Sequence, residues 1–292
     1  MTKYPKISDN EFYKKINTIF KKFKIKEKKL TLEDICYPKK FKLQIPQEFV
    51  SNFINKDTPY KGILLYHQIG AGKTCAAISI AENFKKTKNI LVVVPAALIG
   101  NFYKELRSGC TEDEYISYKN INQLNSLKPS SKEYKEIIKK TNSKINKYYT
   151  VLSYNKFVEK LQKKSIKLVN TLLIIDEVQN VVSEHGTFYN TIYKSISNAP
   201  NDLRIVLLSG TPMFDKPSEI ALTLNLLKLK IEYPVGKKFD DMFLESKKKN
   251  NEIIYKPINL DLFKKLCKGY ISFYRGAPPV SFPKKKYIYC FM

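Results

Sequence analysis

The sequence predicts an α/β fold in which one parallel sheet carries helices on both faces, preceded by a helical N-terminal extension. Short apolar segments lie at 62–66, 90–95, 149–153, 172–175 and 204–208. They lack alternating polar residues, as expected for strands that are buried on both faces. Helical patterns separate them, which favours parallel pairing, and polar motifs follow several of them, where such sheets place their ligand sites.

Residues 1–40 are predicted to form a basic helical extension. Phe12, Ile16 and Phe20 recur at helical spacing, with lysines on the opposite face. Two interpretations remain open for this lysine face. It follows a nucleic-acid backbone, or it is the solvated face of a helix docked on the core.

The formal net charge is +25, and such a surplus attracts polyanions, nucleic acid first. Arg107, Arg204 and Arg275 are the only arginines, so lysine supplies 52 − 3 = 49 of the basic residues. A/T-rich coding also produces lysine-rich chains, and part of the charge is open to that explanation. Lysine contacts phosphate as a point charge, which favours backbone contact over base recognition.

The cysteines and the apolar stretches exclude several classes of protein. The five cysteines are scattered without a CxxC pair, so we expect neither a zinc site nor a disulfide framework. The start of the chain lacks an apolar signal region, and the longest apolar stretch is too short to span a bilayer. We expect a soluble protein in a reducing compartment, with no membrane partner.

The first apolar segment leads into a Gly-rich turn, and Gly62–Thr74 reads GILLYHQIGAGKT. A strand, a Gly-rich loop and a helix form a phosphate-binding loop, since loop N–H groups and the helix N-terminus attract phosphate oxygens. The helical pattern follows at 75–84. The alternative is a Gly-rich turn that binds nothing. His67 replaces the first Gly of the full pattern, Lys73 is the candidate for the β and γ phosphates, and Thr74 is the candidate for Mg²⁺. The nucleotide-binding candidates together are His67, Gln68, Ile69, Gly70, Ala71, Gly72, Lys73 and Thr74.

A second motif, LLIIDEVQ at Leu172–Gln179, ends an apolar strand with two acids. Asp176 is the candidate Mg²⁺ ligand, and Glu177 is the candidate base that orients and deprotonates the attacking water. Lys73 joins these two as the third catalytic candidate. Two solvated acids at a strand end are the alternative.

These motifs resemble those of superfamily 2 helicases, and further segments fit in the same order. DEVQ resembles the DEAD/DEAH box. The others are LQIPQ (Leu43–Gln47), similar to the Q-motif; LVVVPAALIGNFYKEL (Leu91–Leu106), similar to motif Ia of Swi/Snf-type translocases; TVLSYNKF (Thr150–Phe157), similar to motif Ib; and LSGTPM (Leu208–Met213), similar to motif III.

The C-terminal residues Gly269–Met292 (GYISFYRGAPPVSFPKKKYIYCFM) add a narrower resemblance. They are similar to the end of the first lobe in nucleoside triphosphatase I and the related early transcription ATPases of poxviruses and other large cytoplasmic DNA viruses. The family resemblance as a whole covers roughly residues 41–229.

The resemblance implies roles for further residues. Gln47 would contact adenine. Nucleotide state would be coupled to nucleic acid by Gln179, Ser209, Gly210 and Thr211. The residues that would face nucleic acid are Pro95, Ala96, Asn101, Ser153 and Tyr154. The alternative is that they are ordinary residues at strand ends. The implied cofactors are ATP and Mg²⁺. The implied partners are nucleic acid (duplex DNA favoured over RNA), a second RecA-like lobe in cis or trans, and viral RNA polymerase.

The resemblance also implies the domain organisation. Residues 41–230 would form a RecA-like ATP-binding lobe, and residues 231–292 would complete it. Composition predicts a surface insertion at about 111–147 and a loop at 246–252, and an amphipathic pattern predicts a helix near 260–268. A second RecA-like lobe is not found in the sequence, and its γ-phosphate-binding arginines are missing with it. Gln179 stands where many relatives have His, which we expect to alter coupling more than hydrolysis.

The favoured hypothesis is the ATP-binding lobe of a nucleic-acid-dependent ATPase of helicase or translocase type. It would be viral and transcription-related, located in the host cytoplasm, a viral factory or the virion, and weakly hydrolytic without a second lobe. The alternative is a non-catalytic single-lobe subunit of a viral transcription or packaging complex, which the intact Lys73, Thr74, Asp176 and Glu177 disfavour. A phosphate-loop kinase or ring-forming ATPase does not fit the motif Ia and SGTP segments.

Overall fold

A parallel sheet forms the centre of the molecule in a computed structural model. The model describes residues 4–25, 41–68, 70–183, 186–213, 215–249 and 252–276. The strands are β1 (Gly62–His67), β2 (Asn89–Val94), β3 (Tyr149–Ser153), β4 (Thr171–Ile175), β5 (Arg204–Ser209), β6 (Leu244–Lys249), β7 (Glu252–Pro257) and β8 (Ile271–Tyr274). Six of them form the main sheet in the order β3-β2-β4-β5-β1-β8, and every pairing within it is parallel.

Helices connect these strands, as the sequence predicts. They are α1 (Phe12–Ile19), α2 (Ile45–Phe53), α3 (Lys73–Glu82), α4 (Ile99–Leu106), α5 (Tyr118–Ser126), α6 (Lys132–Ile145), α7 (Tyr154–Gln162), α8 (Thr187–Ser197), α9 (Glu219–Asn225), α10 (Lys237–Phe243) and α11 (Leu260–Cys267). Within the described part of the chain, none is long and apolar enough to cross a membrane.

The sheet is covered on both faces, because successive residues of a strand point to opposite sides. On β1, Ile63 and Leu65 pack with α1, α2, α3 and α4 in one core. Leu64, between them, packs into the other core with α7, α8, α9 and α10. The predicted α/β fold with helices on both faces is confirmed. All five predicted strands lie within two residues of their predicted bounds.

The N-terminal helix docks on the first of these cores. Phe12, Ile16 and Phe20 are buried there. Beneath them Phe53 stacks on Tyr60 with ring centroids 4.2 Å apart, and the Tyr60 hydroxyl donates to the Pro5 carbonyl at 2.9 Å. The apolar stripe of α1 is therefore a packing surface. The rest of the predicted extension, residues 26–40, lies outside the described residues.

A charged cluster joins the predicted insertion at 111–147 to the sheet. Tyr115 and Tyr149 both donate to Glu82 Oε1, at 2.8 and 2.6 Å. Lys85 donates to Glu82 Oε2 at 2.6 Å and pairs with Glu114 at 3.0 Å. Because Glu82 ends α3, the helix that follows the Gly-rich loop, the insertion is fixed to the same helix.

Three structural features differ from the sequence-based expectations. Residues 246–252 are expected to be a loop because their lysine-rich composition is typical of exposed loops. In the structure they belong largely to an antiparallel hairpin, in which β6 pairs with β7. Cys75 and Cys110 form a disulfide, contrary to the expectation of none, because a short helical turn at Gly109–Thr111 packs against the start of α3. Strand β8 was not predicted and forms the edge of the sheet.

Candidate nucleotide site

The Gly-rich loop has the backbone that a phosphate-binding loop needs. Gly70 and Gly72 have φ angles of 79° and 70°, in the left-handed region that glycine adopts without steric cost. Gly72 is the N-cap of α3, so Lys73 and Thr74 begin the helix. The first N–H groups of a helix have no intrahelical partner, and they carry the positive end of its dipole. The loop therefore suits an anion. Ile69 lies outside the described residues.

Lys73 and Thr74 are partly buried at the entrance to this loop, whereas Gln68 and Gly70 are exposed. Ala71 is buried, and its N–H donates to the Gln68 carbonyl at 3.1 Å. The loop is thus closed on itself by its own backbone while its lysine and threonine stay accessible. This arrangement fits a nucleoside triphosphate, with Lys73 towards the phosphates and Thr74 towards a metal ion.

His67 is fully buried at the end of β1. Its Nε2 lies 3.0 Å from Ser272 Oγ on β8, and its buried Nδ1 has no hydrogen-bond partner among the residues that the structure describes. Burial, and secondarily the charge of Lys73, lowers the pKa of His67 to about 4, so the imidazole is neutral near pH 7. Sequence reasoning missed Ser272 as its partner. The β-branched and aromatic segment ISFY was the signal that a strand lies there.

Gln47 lies under the loop. It is the third residue of α2, and its Oε1 accepts from the Gln44 N–H at 2.7 Å in a capping box. Its Nε2 donates to the Gly72 carbonyl at 3.1 Å. The amide therefore ties α2 to the phosphate loop. Contact with adenine, implied by the family resemblance, stays a prediction.

The acidic pair follows β4 at the same edge of the sheet. Asp176 is 7% exposed, and burial followed by the neighbouring Glu177 charge raises its pKa to about 6, against the opposing effect of Lys73. Strand β4, which Asp176 follows, and strand β1, which the phosphate loop follows, both pair in parallel with β5, so Asp176 and the loop lie at the same edge of the sheet. Glu177 has φ 46°, which is uncommon for a residue other than glycine, and its N–H donates to Asp176 Oδ1 at 3.0 Å.

A chain of hydrogen bonds connects this pair with the SGTP segment. Gln179 Nε2 donates to Glu177 Oε2 at 2.8 Å, and Gln179 Oε1 accepts from Ser209 Oγ at 2.7 Å. Ser209 Oγ in turn accepts from the Thr211 N–H at 3.0 Å. The structure thus brings together the residues predicted to act in coupling, with Gly210 between the last two. Both Nε2 and Oε1 of Gln179 are therefore hydrogen-bonded. A histidine here would form such a bridge with its ring nitrogens, in a different geometry.

Of the residues predicted to face nucleic acid, Pro95, Ala96, Ser153 and Tyr154 lie at the ends of two adjacent strands, since Val94 pairs with Ser153, whereas Asn101 lies in α4. Ala96 and Asn101 are exposed, and Pro95 is half-buried. Ser153 caps α7 by accepting from the Lys156 N–H at 3.3 Å. The hydroxyl of Tyr154 points inward, where it donates to the carbonyls of Asp176 and Glu177.

A family model described as the SNF2-related domain matches residues 46–265, which include the phosphate loop, the acidic pair and the SGTP segment. The chain belongs to the SNF2-related domain family. The predicted resemblance to superfamily 2 helicases of the Swi/Snf type is confirmed, and with it the helicase-type RecA-like lobe. The family uses ATP and a divalent metal ion, and the phosphate loop with its acidic partners suits both.

The relatives of this SNF2-related domain include proteins of large DNA viruses. It is 50% identical over 283 residues to R563 of Acanthamoeba polyphaga mimivirus, which is named as an ATP-dependent RNA helicase, covering 97% of this chain and 49% of that protein. It is 25% identical over 220 residues to a termination factor NPH-I homolog of African swine fever virus, covering 73% of this chain and 28% of that protein. The chain thus spans about half the length of the mimivirus relative and a smaller share of the African swine fever virus protein.

Among solved structures, the SWI2/SNF2 ATPase core of Sulfolobus solfataricus in complex with double-stranded DNA is similar over 74% of this chain and 40% of that one. The TM-score is 0.47 and the sequence identity 17%. The domain boundaries and the roles of individual residues in this SNF2-related domain stay predictions.

Proposed function

We propose that this SNF2-related domain is the ATP-binding lobe of a nucleic-acid-dependent ATPase of helicase or translocase type, viral and transcription-related, with weak hydrolysis unless a second lobe is supplied. The observation that carries the proposal is the hydrogen-bond chain from Glu177 through Gln179 to Ser209. It connects the water-activating candidate with the segment expected to sense nucleic acid, at the edge of the sheet that carries Lys73.

Each residue then has a chemical task. The loop N–H groups and Lys73 hold the phosphates, and Thr74 with Asp176 would hold Mg²⁺. When bound, Mg²⁺ neutralises charge that develops on the phosphate oxygens. Glu177 orients the attacking water and accepts its proton, which requires the carboxylate form. Gln179 keeps that carboxylate directed by donating to it.

Charge and strand topology support a nucleic-acid partner. The net charge of +25 attracts a polyanion, and Ala96, Asn101 and Ser153 lie along one edge of the sheet. Duplex DNA is the favoured substrate and RNA the second option. A second RecA-like lobe and the viral RNA polymerase are the proposed protein partners. The host cytoplasm, a viral factory or the virion is the proposed location.

The second lobe matters because γ-phosphate chemistry needs a further cation. An arginine supplied to the γ-phosphate contributes about 10³–10⁵ in rate in other phosphate-loop enzymes. Of the three arginines, Arg107 lies partly buried on the side of the insertion and donates to Asn142. Arg204 lies at the start of β5, the opposite end of the strand from the site. Arg275 follows β8 and is exposed.

The test is ATP binding and turnover with matched variants. The chain alone should bind ATP and hydrolyse it slowly, and a second RecA-like lobe supplied in trans, with duplex DNA, should raise turnover by about 10³ or more. Glu177→Gln should retain ATP binding and lose turnover about 100-fold, whereas Lys73→Ala should lose binding. Asp261→Asn, on the exposed face of α11, should change neither.

Two results would overturn the proposal. Failure of the wild-type chain to bind ATP would remove its basis. Unchanged biological activity of Lys73→Ala would favour the non-catalytic subunit. Turnover by the chain alone that equals a complete two-lobed translocase would overturn the claim of weak hydrolysis while leaving ATP binding in place.

A further inference from the structure

Tyr154 connects two strand ends that do not touch each other. It is the first residue of α7, directly after β3, and its hydroxyl donates to the Asp176 carbonyl at 2.5 Å and to the Glu177 carbonyl at 3.0 Å. Strands β3 and β4 both pair with β2 and lie on either side of it. The tyrosine therefore reaches over the end of β2 and closes on the backbone of the acidic pair.

The backbone at that point needs support. Glu177 is held at φ 46° and ψ 52°, a left-handed conformation that is unfavourable for a residue with a Cβ. Two local hydrogen bonds help to hold this conformation. The Glu177 N–H donates to Asp176 Oδ1, and the Glu177 carbonyl accepts from the Asn180 N–H at 3.0 Å. The carbonyls of Asp176 and Glu177, which precede and follow the Glu177 Cα, are both held by one hydroxyl from another element.

The direction of the Glu177 carboxylate follows from this backbone conformation. If Glu177 relaxed to an ordinary φ, its side chain would leave Gln179 Nε2, now 2.8 Å from Oε2. A phenol keeps its proton near neutral pH, so the hydroxyl stays a hydrogen-bond donor.

We propose that Tyr154 is a positioning residue for hydrolysis: its hydroxyl holds the Asp176–Glu177 backbone so that the Glu177 carboxylate is directed to the attacking water. The role is distinct from contact with nucleic acid, for which the resemblance selects this tyrosine. It rests on the proposed ATPase function, because it assigns no chemistry to Tyr154 itself. A group of this kind affects the catalytic step more than the binding of ATP.

Tyr154→Phe removes only the hydroxyl and tests the proposal in the ATPase-competent preparation with its second lobe. We expect kcat to fall about tenfold with KM for ATP unchanged within about twofold, because a small misplacement of a catalytic group costs rate and not ground-state binding. Tyr193→Phe is the matched control. Its hydroxyl donates to Glu232 at 2.6 Å, away from the site, and its loss should leave both constants unchanged.

Hydrogen exchange gives a second readout that does not depend on turnover. Amides of residues 176–181 should exchange at least several-fold faster in Tyr154→Phe and at the wild-type rate in Tyr193→Phe. Faster exchange with a lower kcat supports the proposal. Unchanged exchange overturns it, as does faster exchange with an unchanged kcat, which would show a purely structural bond. A wild-type protein without ATPase activity would overturn the proposed function instead, and exchange would then still decide whether the hydroxyl holds this backbone.

Discussion

At the scale of single residues, His67 combines an unusual position with an unusual environment. It replaces the first Gly of the phosphate-loop pattern, and its ring is fully buried between β1 and β8. The imidazole has an ordinary pKa of 6.5, and burial lowers it to about 4 in the folded protein. Between these values the unfolded chain binds a proton that the folded chain does not. Folding stability is therefore lost as the pH falls from about 6.5 to 4.

We expect His67→Gln to flatten this part of the stability profile. The lost stability in wild type should be on the order of 3 kcal/mol, from a pKa difference of about 2.5 and 1.36 kcal/mol per pKa unit. Urea unfolding at half-unit pH steps from 4 to 7.5 measures it for both proteins. Carboxylates titrate in both, so the difference curve isolates His67. Parallel curves would show that protonation of His67 does not oppose folding.

Sequence patterns identified which side chains gather at the site but not what their polar atoms contact. Spacing and resemblance selected Gln47, Tyr154 and Gln179. In the structure the Gln47 amide forms hydrogen bonds with Gln44 and Gly72, and the Tyr154 hydroxyl donates to the Asp176 carbonyl. The Gln47–Gly72 and Tyr154–Asp176 contacts join residues 25 and 22 positions apart, and backbone conformations such as that of Glu177 decide them. A one-dimensional pattern contains no such information.

At the scale of elements, burial decided what the sequence could predict. Strands β1, β2, β4 and β5 are almost continuously buried, so their apolar runs marked them. Strand β8 is only half-buried at the sheet edge, and Phe273 is exposed there. The hairpin of β6 and β7 is lysine-rich and lies outside the main sheet. Such strands bury too little to produce a continuous apolar run, although β3 at the opposite edge, with only Tyr149 fully buried, was still predicted from the segment 149–153.

The contact between α3 and the turn at Gly109–Thr111 gives a prediction about the disulfide. Cys75 and Cys110 are 35 residues apart, and a cross-link over such a loop stabilises the folded state by about 3–4 kcal/mol in the chain-entropy model. Reductant should lower the stability of the oxidised protein by that amount in urea unfolding. Cys110→Ala should show no reductant effect.

Cys267→Ala is the control for this comparison. Within the described part of the chain its thiol has no disulfide partner and lies beside the Tyr233 hydroxyl, so the variant should retain the full effect of the reductant. If wild type is equally stable with and without reductant, and thiol titration of the unreduced protein finds Cys75 and Cys110 both free, the bond does not form in solution.

At the scale of the whole molecule, the sheet divides the chain into two cores and collects the motifs at one edge. The phosphate loop, the acidic pair and the SGTP segment follow β1, β4 and β5, which are adjacent in the sheet. The motif Ia and Ib segments follow β2 and β3, at its other side. The topology therefore places the motifs expected to face nucleic acid next to β4, the strand of the acidic pair, and the Tyr154 hydroxyl connects the two groups.

The lysine-rich charge gives the prediction at this scale. Binding through lysine–phosphate contacts should weaken linearly in log affinity against log salt, with a slope of about −0.9 per phosphate neutralised on duplex DNA. Affinity should fall about tenfold between 50 and 200 mM KCl for every two phosphates contacted. Two duplexes of equal length and unrelated sequence should bind equally, because a lysine contact with the backbone carries no base recognition.

Fluorescence anisotropy with labelled duplexes measures this slope, and the N-terminal lysine face provides the internal comparison. Lys14 and Lys15 are already paired with Glu11 and Asp9, and α1 is docked through its apolar stripe. We therefore expect Lys21→Gln with Lys24→Gln to leave the salt slope unchanged, as for a solvated face. A slope reduced by about one or more would show that α1 and the residues after it follow the nucleic-acid backbone. A salt-independent affinity, or strong preference for one duplex sequence, would contradict backbone binding by lysine altogether.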